Sequence, residues 1–471
     1  MIHYISNETL VLEHIEALIV NDIKLKLSEE AILNAKRCSS FLNDEILTRT
    51  GTDFASENQH NLLKSYACGI GNPVPDTIVK LMLFLKIQSL CYGFSGVRLE
   101  IIERFLDFYN NDVLPVVYSQ DAPDDRIALA HLALPLIGEG EVRIDKKVFS
   151  ACELESKFGW KPLKMKDKEA EALLGGTQLT TAYGVFNLIK SLKINKVSDF
   201  VSSISVQVFG TNPLYFSEQV QVVRPHKGQI QTAEQLSKII KNNRLQKYFD
   251  KNASCCAPEA FCAIPQVHGA VKDTISYVRR IIKTEVNSTT DNFLVFPHLK
   301  QVITGGNSHT LPLSLGLDFL SIALTSLGNI SERRIFYLIS ALNNEKMAKN
   351  ARVLLDLSVF QRITEGILAE NKRLSVPVSV ESPIFSEKMT DIKGMGGSSA
   401  VKCSQVIKNI EQILAIELLV ATLLISEEKI TFESDIIKEY MQFLNLNNEN
   451  ESILKKNIQK TVQFFNENEF F

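Results

Sequence analysis

LDFLSIALTSLGNISERRI, residues 317–335, and ILAIELL, residues 413–419, decide the fold class. Apolar residues recur three and four apart in both, over runs too long for strands, which is the period of a helix. They belong to the most apolar segments of the chain, 311–328 and 410–426. Asp318 interrupts the first, and Glu411 and Glu417 interrupt the second. Neither is an uninterrupted apolar run of the kind that spans a bilayer, so both read as core helices. The same period covers 77–90, 99–109, 127–134 and 401–425, with Pro135 placed to end or kink the third of these. Runs of β type are short, 203–209 and 292–296, and no strand–helix alternation suggests a parallel sheet. A Rossmann fold and an α/β barrel are set aside, and a mostly α protein is expected.

Composition agrees with a soluble globular chain. The 471 residues are 45% hydrophobic and 22% charged with a formal net charge of -3, which excludes disordered and fibrous classes. The balanced charge offers no footprint for nucleic acid or for a membrane surface. Residues 1–22 interleave apolar residues with Glu8, Glu13, His14 and Glu16, unlike a secretory signal. The 8 cysteines lack paired zinc-type spacing and suit reduced thiols, giving a cytoplasmic expectation. Cys255, Cys256 and Cys262 with His268 are considered for zinc and set aside, because adjacent cysteines rarely serve one tetrahedral site. The run 161–168 reads as a solvated turn. The expected organisation is a loop-rich and helical N-terminal portion (1–200), a central helical bundle (201–435), and a C-terminal helix and loosely held tail (436–471).

Ten segments in order carry a resemblance: NLLKSYACGIG from Asn61, GFSGVRLEIIE from Gly93, ALAHLALPLIGEGE from Ala128, GGTQLTTA from Gly175, PQVHGA from Pro265, NSTTDNFLVF from Asn287, GGNSH from Gly305, LDFLSIALTSLGNISERRI from Leu317, ENKRLSVPVSVES from Glu370 and ILAIELL from Ile413. Together they resemble the histidine and phenylalanine ammonia-lyase family, the aromatic amino acid lyases, over roughly residues 40–430. The resemblance implies long central helices, a homotetramer with each active site drawn from three subunits, and no nucleic acid or membrane partner. It also implies chemistry through methylideneimidazolone, an electrophile formed from an internal Ala-Ser-Gly triplet, with a loop tyrosine taking the β-proton of a small-molecule substrate.

The family's Ala-Ser-Gly-Asp leads into Leu-Ala-x-Leu-Ala-His. Counted back from Ala130 and His131, those places hold Ala122, Pro123, Asp124 and Asp125. Pro123 has no hydroxyl to eliminate, and Asp124 lacks the backbone freedom of glycine. Asp124 and Asp125 suit the start of a helix; an acid–base pair is the alternative. Ile46 stands at the loop tyrosine, Tyr66 at the histidine of Ser-His-Ala, and Gly175 and Gly176 open the former Asn-Gly-Thr-Gln. Cys256, Glu259 and Cys262 stand at the Gln, Tyr and substrate-clamping Arg, Ser308 at the aromatic after Gly-Gly-Asn, and Thr390 at the late glutamate. His131 and His309 read as satisfied buried histidines.

These substitutions lead to the expectation of no methylideneimidazolone and no other cofactor, with deamination lost and enzyme activity left open. Two functions stand side by side: a repurposed small-molecule enzyme of specialised metabolism using different chemistry in the old pocket, or a pseudoenzyme that binds a ligand or serves as a structural subunit. Glu259, Cys262 and Asp124 are the candidate catalytic groups. Tyr66, Cys256, Ser308 and Thr390 are the candidate binding groups. A carboxylate at Glu259 would disfavour substrate carboxylates, pointing to a ligand neutral or cationic at that end.

Overall fold

The computed structural model describes residues 2–21, 23–50, 56–119, 124–166, 168–242, 257–344, 351–381, 392–427, 430, 434–444 and 454–470. It is mostly α, as the period predicts. The chain forms two compact units, Met1–Phe186 with Arg279–Leu317 and Pro377–Val401, and Asn187–Val278 with Asp318–Val376 and Lys402–Phe471.

In the first unit the helix Asp76–Cys91 is apolar nearly all round and buried along almost its whole length, as a central core helix must be. It carries one charge inward. The Lys86 ammonium donates to the carbonyls of Ala172 (2.8 Å) and Gly175 (2.6 Å) and lies 3.9 Å from the buried Asp291 carboxylate. Strands Ile2–Ile5 and Lys24–Leu27 pair in parallel, and Phe293–Phe296 pairs antiparallel with Gln301–Thr304. The second of these contains the β run expected at 292–296. The helix Arg126–Ala133 gives way to a 3-10 turn, Leu134–Ile137, where Pro135 cannot continue the α pattern. Gly138 then closes the turn at φ +76°, where a Cβ would fall 2.7 Å from Pro162. The run 161–168 lies over this region, anchored by buried Leu163 and Met165, with Lys161, Lys164 and Lys166 exposed and Lys168 set over the Phe293 ring.

In the second unit three long helices meet at one carboxylate. Glu417, on Gly396–Glu427, accepts from the Ser205 hydroxyl (2.6 Å) and Arg334 Nε (2.6 Å) at one oxygen. Its other oxygen accepts from the Ser331 hydroxyl (2.5 Å) and Arg334 Nη2 (2.9 Å). Ser331 and Arg334 lie on Leu311–Asn344, and Ser205 lies on Gln178–Phe209. Arg334 and Glu417 are both fully buried. Gly328 allows the close approach of two of these helices, since a Cβ there would stand 2.7 Å from Ile410 Cδ1. Among the described residues two helices are long and apolar enough to cross a membrane by composition, but 61% and 78% of those stretches are buried within the protein, so they are core helices.

Two local expectations change. The run 203–209 is helical, within Gln178–Phe209. Ser203 donates to Phe200 O within the helix at 2.6 Å and Ser205 donates to the buried Glu417, and such internal partners let a buried helix mimic the alternation of a strand. The tail is not loosely held over 466–470: Phe470 is buried against Phe200 (ring centroids 5.1 Å) and Phe464, while Lys190 and Lys193 bond to Asn466.

Removing Glu417 should leave the Arg334 charge buried and unpaired. Glu417→Ala is expected to cost about 3–5 kcal/mol in urea unfolding, with much of the loss recovered in Glu417→Leu/Arg334→Met. A single-variant cost below about 1 kcal/mol would show the pair is not a structural hub.

Candidate active site

The first unit gathers charge at the start of the Arg126–Ala133 helix. Asp125 occupies the N-cap position yet makes no cap bond. It turns inward, where Oδ2 accepts from Thr180 N at 2.8 Å and Oδ1 from the Thr180 hydroxyl at 2.6 Å. Burial pushes its carboxyl up to about 7, against the two Thr180 bonds that pull it down, with the Asp124 charge adding to the rise. Asp124 instead forms an ion pair with Lys393 and accepts from Arg126 N at 3.1 Å. The adjacent carboxylates therefore have separate partners and are not a shared acid–base pair; the helix-start placement holds.

Tyr66 joins this cluster. Arg126 Nη1 lies 3.4 Å from its hydroxyl, and the guanidinium stands 5.9 Å from its ring centre. One turn on, His131 Nε2 accepts from Gly69 N at 3.1 Å and its ring meets Tyr118 edge-on, a satisfied histidine as expected. Burial lowers its pKa. Ser308 belongs to a loop tied back by Ser308 N donating to Asn292 Oδ1 at 2.8 Å. None of its hydrogen bonds reaches Asp124 or Tyr66. His309 Nδ1 accepts from Leu311 N at 3.3 Å.

The second unit holds Glu259 and Cys262 on one short helix, Glu259–Cys262. The Glu259 side chain is exposed, and the Cys262 thiol lies 3.8 Å from Ala257 O. Burial, with Glu259 adding to it, pushes that thiol up, which disfavours the nucleophilic thiolate. Ala122, Pro123, Cys256 and Thr390 lie outside the described residues. Ile46 falls within the helix Glu29–Thr50. Among the described residues no group of three His, Cys, Asp or Glu could hold a metal ion.

Arg126, Lys393 and Thr180 were not singled out in the sequence. Arg126 left a signal: it stands where the family's Leu-Ala-x-Leu-Ala-His begins with leucine, a charge in an apolar stretch. Lys393 left none, because its partner lies 269 positions away.

The helical scaffold is of the ammonia-lyase type, and the family model described as aromatic amino acid lyase matches residues 45–429. The chain belongs to the aromatic amino acid lyase family. It is 37% identical to the histidine ammonia-lyase of Caldanaerobacter subterraneus subsp. tengcongensis, over 81% of this chain and 75% of that one. It is 32% identical to the histidine ammonia-lyase of Treponema denticola, over 88% and 87%. The crystal structure of histidine ammonia-lyase from Trypanosoma cruzi superposes with a TM-score of 0.89 at 28% identity, covering 99% and 93%. Ergothionase from Treponema denticola, an ergothioneine-degrading enzyme, shares the fold at a TM-score of 0.88 and 20% identity.

These relationships correct two expectations. Likeness to histidine ammonia-lyases over most of the chain overturns the reading of a repurposed enzyme or pseudoenzyme with deamination lost. Membership of a family whose chemistry uses methylideneimidazolone overturns the expectation of no cofactor. The residues aligned with its triplet do not themselves fit the group. Pro123 brings no hydroxyl, and the Asp124 side chain is engaged with Lys393.

Asp125 supplies a pH test. Its carboxyl titrates near 4 when unfolded and at about 7 when folded, so the folded state binds the extra proton between those values. Its contribution is fully present below about pH 4 and is lost as pH rises toward 7, a fall on the order of 4 kcal/mol. Asp125→Asn removes that dependence. The melting temperature of the unaltered protein should fall relative to Asp125→Asn from pH 5 to pH 8; parallel curves would refute the assignment.

Proposed function

We propose that the protein is a histidine-type ammonia-lyase, eliminating ammonia from L-histidine to give urocanate. The observation that carries this reading is the 32–37% identity to histidine ammonia-lyases across roughly four-fifths or more of the chain. The residues of the first unit suit an amino acid substrate. Arg126 places a cation beside Tyr66, Asp124 is neutralised by Lys393, and Asp125 can hold a proton at neutral pH. Purified protein given L-histidine should release urocanate and ammonia in equal amounts, above a heat-denatured control. No ammonia from histidine, phenylalanine or tyrosine, or degradation of ergothioneine alone, would overturn it.

The reading includes a homotetramer in the cytoplasm. Its support is an apolar face of the second unit: Phe319 and Ile322 are 43% and 41% exposed on the Leu311–Asn344 helix, beside a cavity of about 460 Å³ lined also by Val267, Ala270 and Val271. A face of this kind is costly to leave in water. Cytoplasmic location is supported by the described cysteines, all free thiols. Light scattering at micromolar protein should give four times the chain mass, and a monomer mass would contradict the assembly.

A further inference from the structure

Arg126 differs from the other buried or half-buried arginines of its unit in what it faces. The guanidinium of Arg98 is held by Glu169 at 2.7 Å, and that of Arg143 by Asp76. The Arg126 guanidinium is half-buried, and its only partner among the described residues is Tyr66, through one 3.4 Å contact to the hydroxyl and the approach to the ring. Guanidinium carries five N–H donors in a planar fork, so among the described residues most of that fork has no partner.

The neighbouring acids cannot serve it. Asp124 is paired with Lys393, and both oxygens of Asp125 are turned to Thr180. Burial also favours the neutral form of Asp125. Asp124 and Lys393 compensate each other, leaving Arg126 as the cation of the cluster without a carboxylate partner among the described residues. A partly desolvated guanidinium with an open fork is suited to a carboxylate, which it can bind through two parallel hydrogen bonds.

The aligned residues lead to the same place. Cys262 stands where the family resemblance puts the arginine that clamps the substrate carboxylate, and Arg126 stands where it puts a leucine. The chain has lost one guanidinium and gained another. We propose that Arg126, positioned by the Tyr66 ring and hydroxyl, is the residue that binds the carboxylate of the amino acid substrate. The inference rests on the ammonia-lyase reading for the identity of the substrate.

The test is calorimetric binding of imidazolepropionate, which keeps the carboxylate and lacks the amine, and of histamine, which keeps the amine and lacks the carboxylate. The unaltered protein should bind imidazolepropionate. Arg126→Gln should weaken it roughly ten- to a hundredfold, the loss of a charged hydrogen-bonded contact, and change histamine binding less than about twofold. Arg126→Lys, which keeps the charge without the fork, should fall between, and Tyr66→Phe should lose less than Arg126→Gln. Unfolding midpoints of the variants check that they fold; if Arg126→Gln does not, Arg126→Lys and Tyr66→Phe carry the comparison. Unchanged imidazolepropionate affinity in the folded variants, or no binding by the unaltered protein, would overturn the proposal. The two readings fail separately. Carboxylate discrimination through Arg126 without ammonia release rejects the lyase reading alone, and ammonia release with an unaltered histidine KM in Arg126→Gln rejects Arg126 alone.

Discussion

The buried Glu417 carboxylate constrains the long helices of the second unit more than any other group there. Its four hydrogen bonds come from Ser205, Ser331 and Arg334, so three helices must present those positions at one level. A slide by one turn, about 5.4 Å, would strand a carboxylate and a guanidinium in an apolar interior. Apolar surface packs in many registers; a charge pair fully removed from water tolerates few. This also explains how helices hydrophobic enough for a membrane belong to a protein core. Among the charges that interrupt them, Asp318, Arg334 and Glu417 are buried.

Periodicity made the helices legible because their apolar residues pack on neighbours at helical spacing. It failed where side chains satisfied themselves by other means. The serines at 198, 202 and 203 return their hydroxyls to carbonyls three residues back, so the helix is buried all round and shows no polar stripe. The parallel pair Ile2–Ile5 and Lys24–Leu27 was invisible for another reason. Four residues are too few to display alternation, and nothing local signals pairing across the intervening helix Leu12–Val20. The tail carried a usable signal in Phe464, Phe465 and Phe470, which the polar residues around them obscured.

At the site, the sequence revealed residue types but not their partners. Asp124 and Asp125, adjacent in the chain, looked like one acidic feature. In the fold one is neutralised by Lys393 and the other is sunk against Thr180, so their environments diverge although they are neighbours. The inference of lost activity rested on a handful of aligned positions, among them Pro123 at the triplet and Cys262 at the clamping arginine. The likeness to histidine ammonia-lyases extends over 81% and 88% of the chain and outweighs those few substitutions.

The charge balance at the start of the Arg126–Ala133 helix follows from where each group obtains its compensation. A helix start favours anions, and two aspartates would ordinarily make this end repel a substrate carboxylate. Here Lys393 removes one of those charges, and burial against Thr180 favours protonation of the other near neutral pH. What remains is the positive helix end and the guanidinium of Arg126, steadied by Tyr66. Two acidic residues in the sequence thus coexist with an environment that accepts an anion, because the field at a site is set by which charges are paired and which stay ionised.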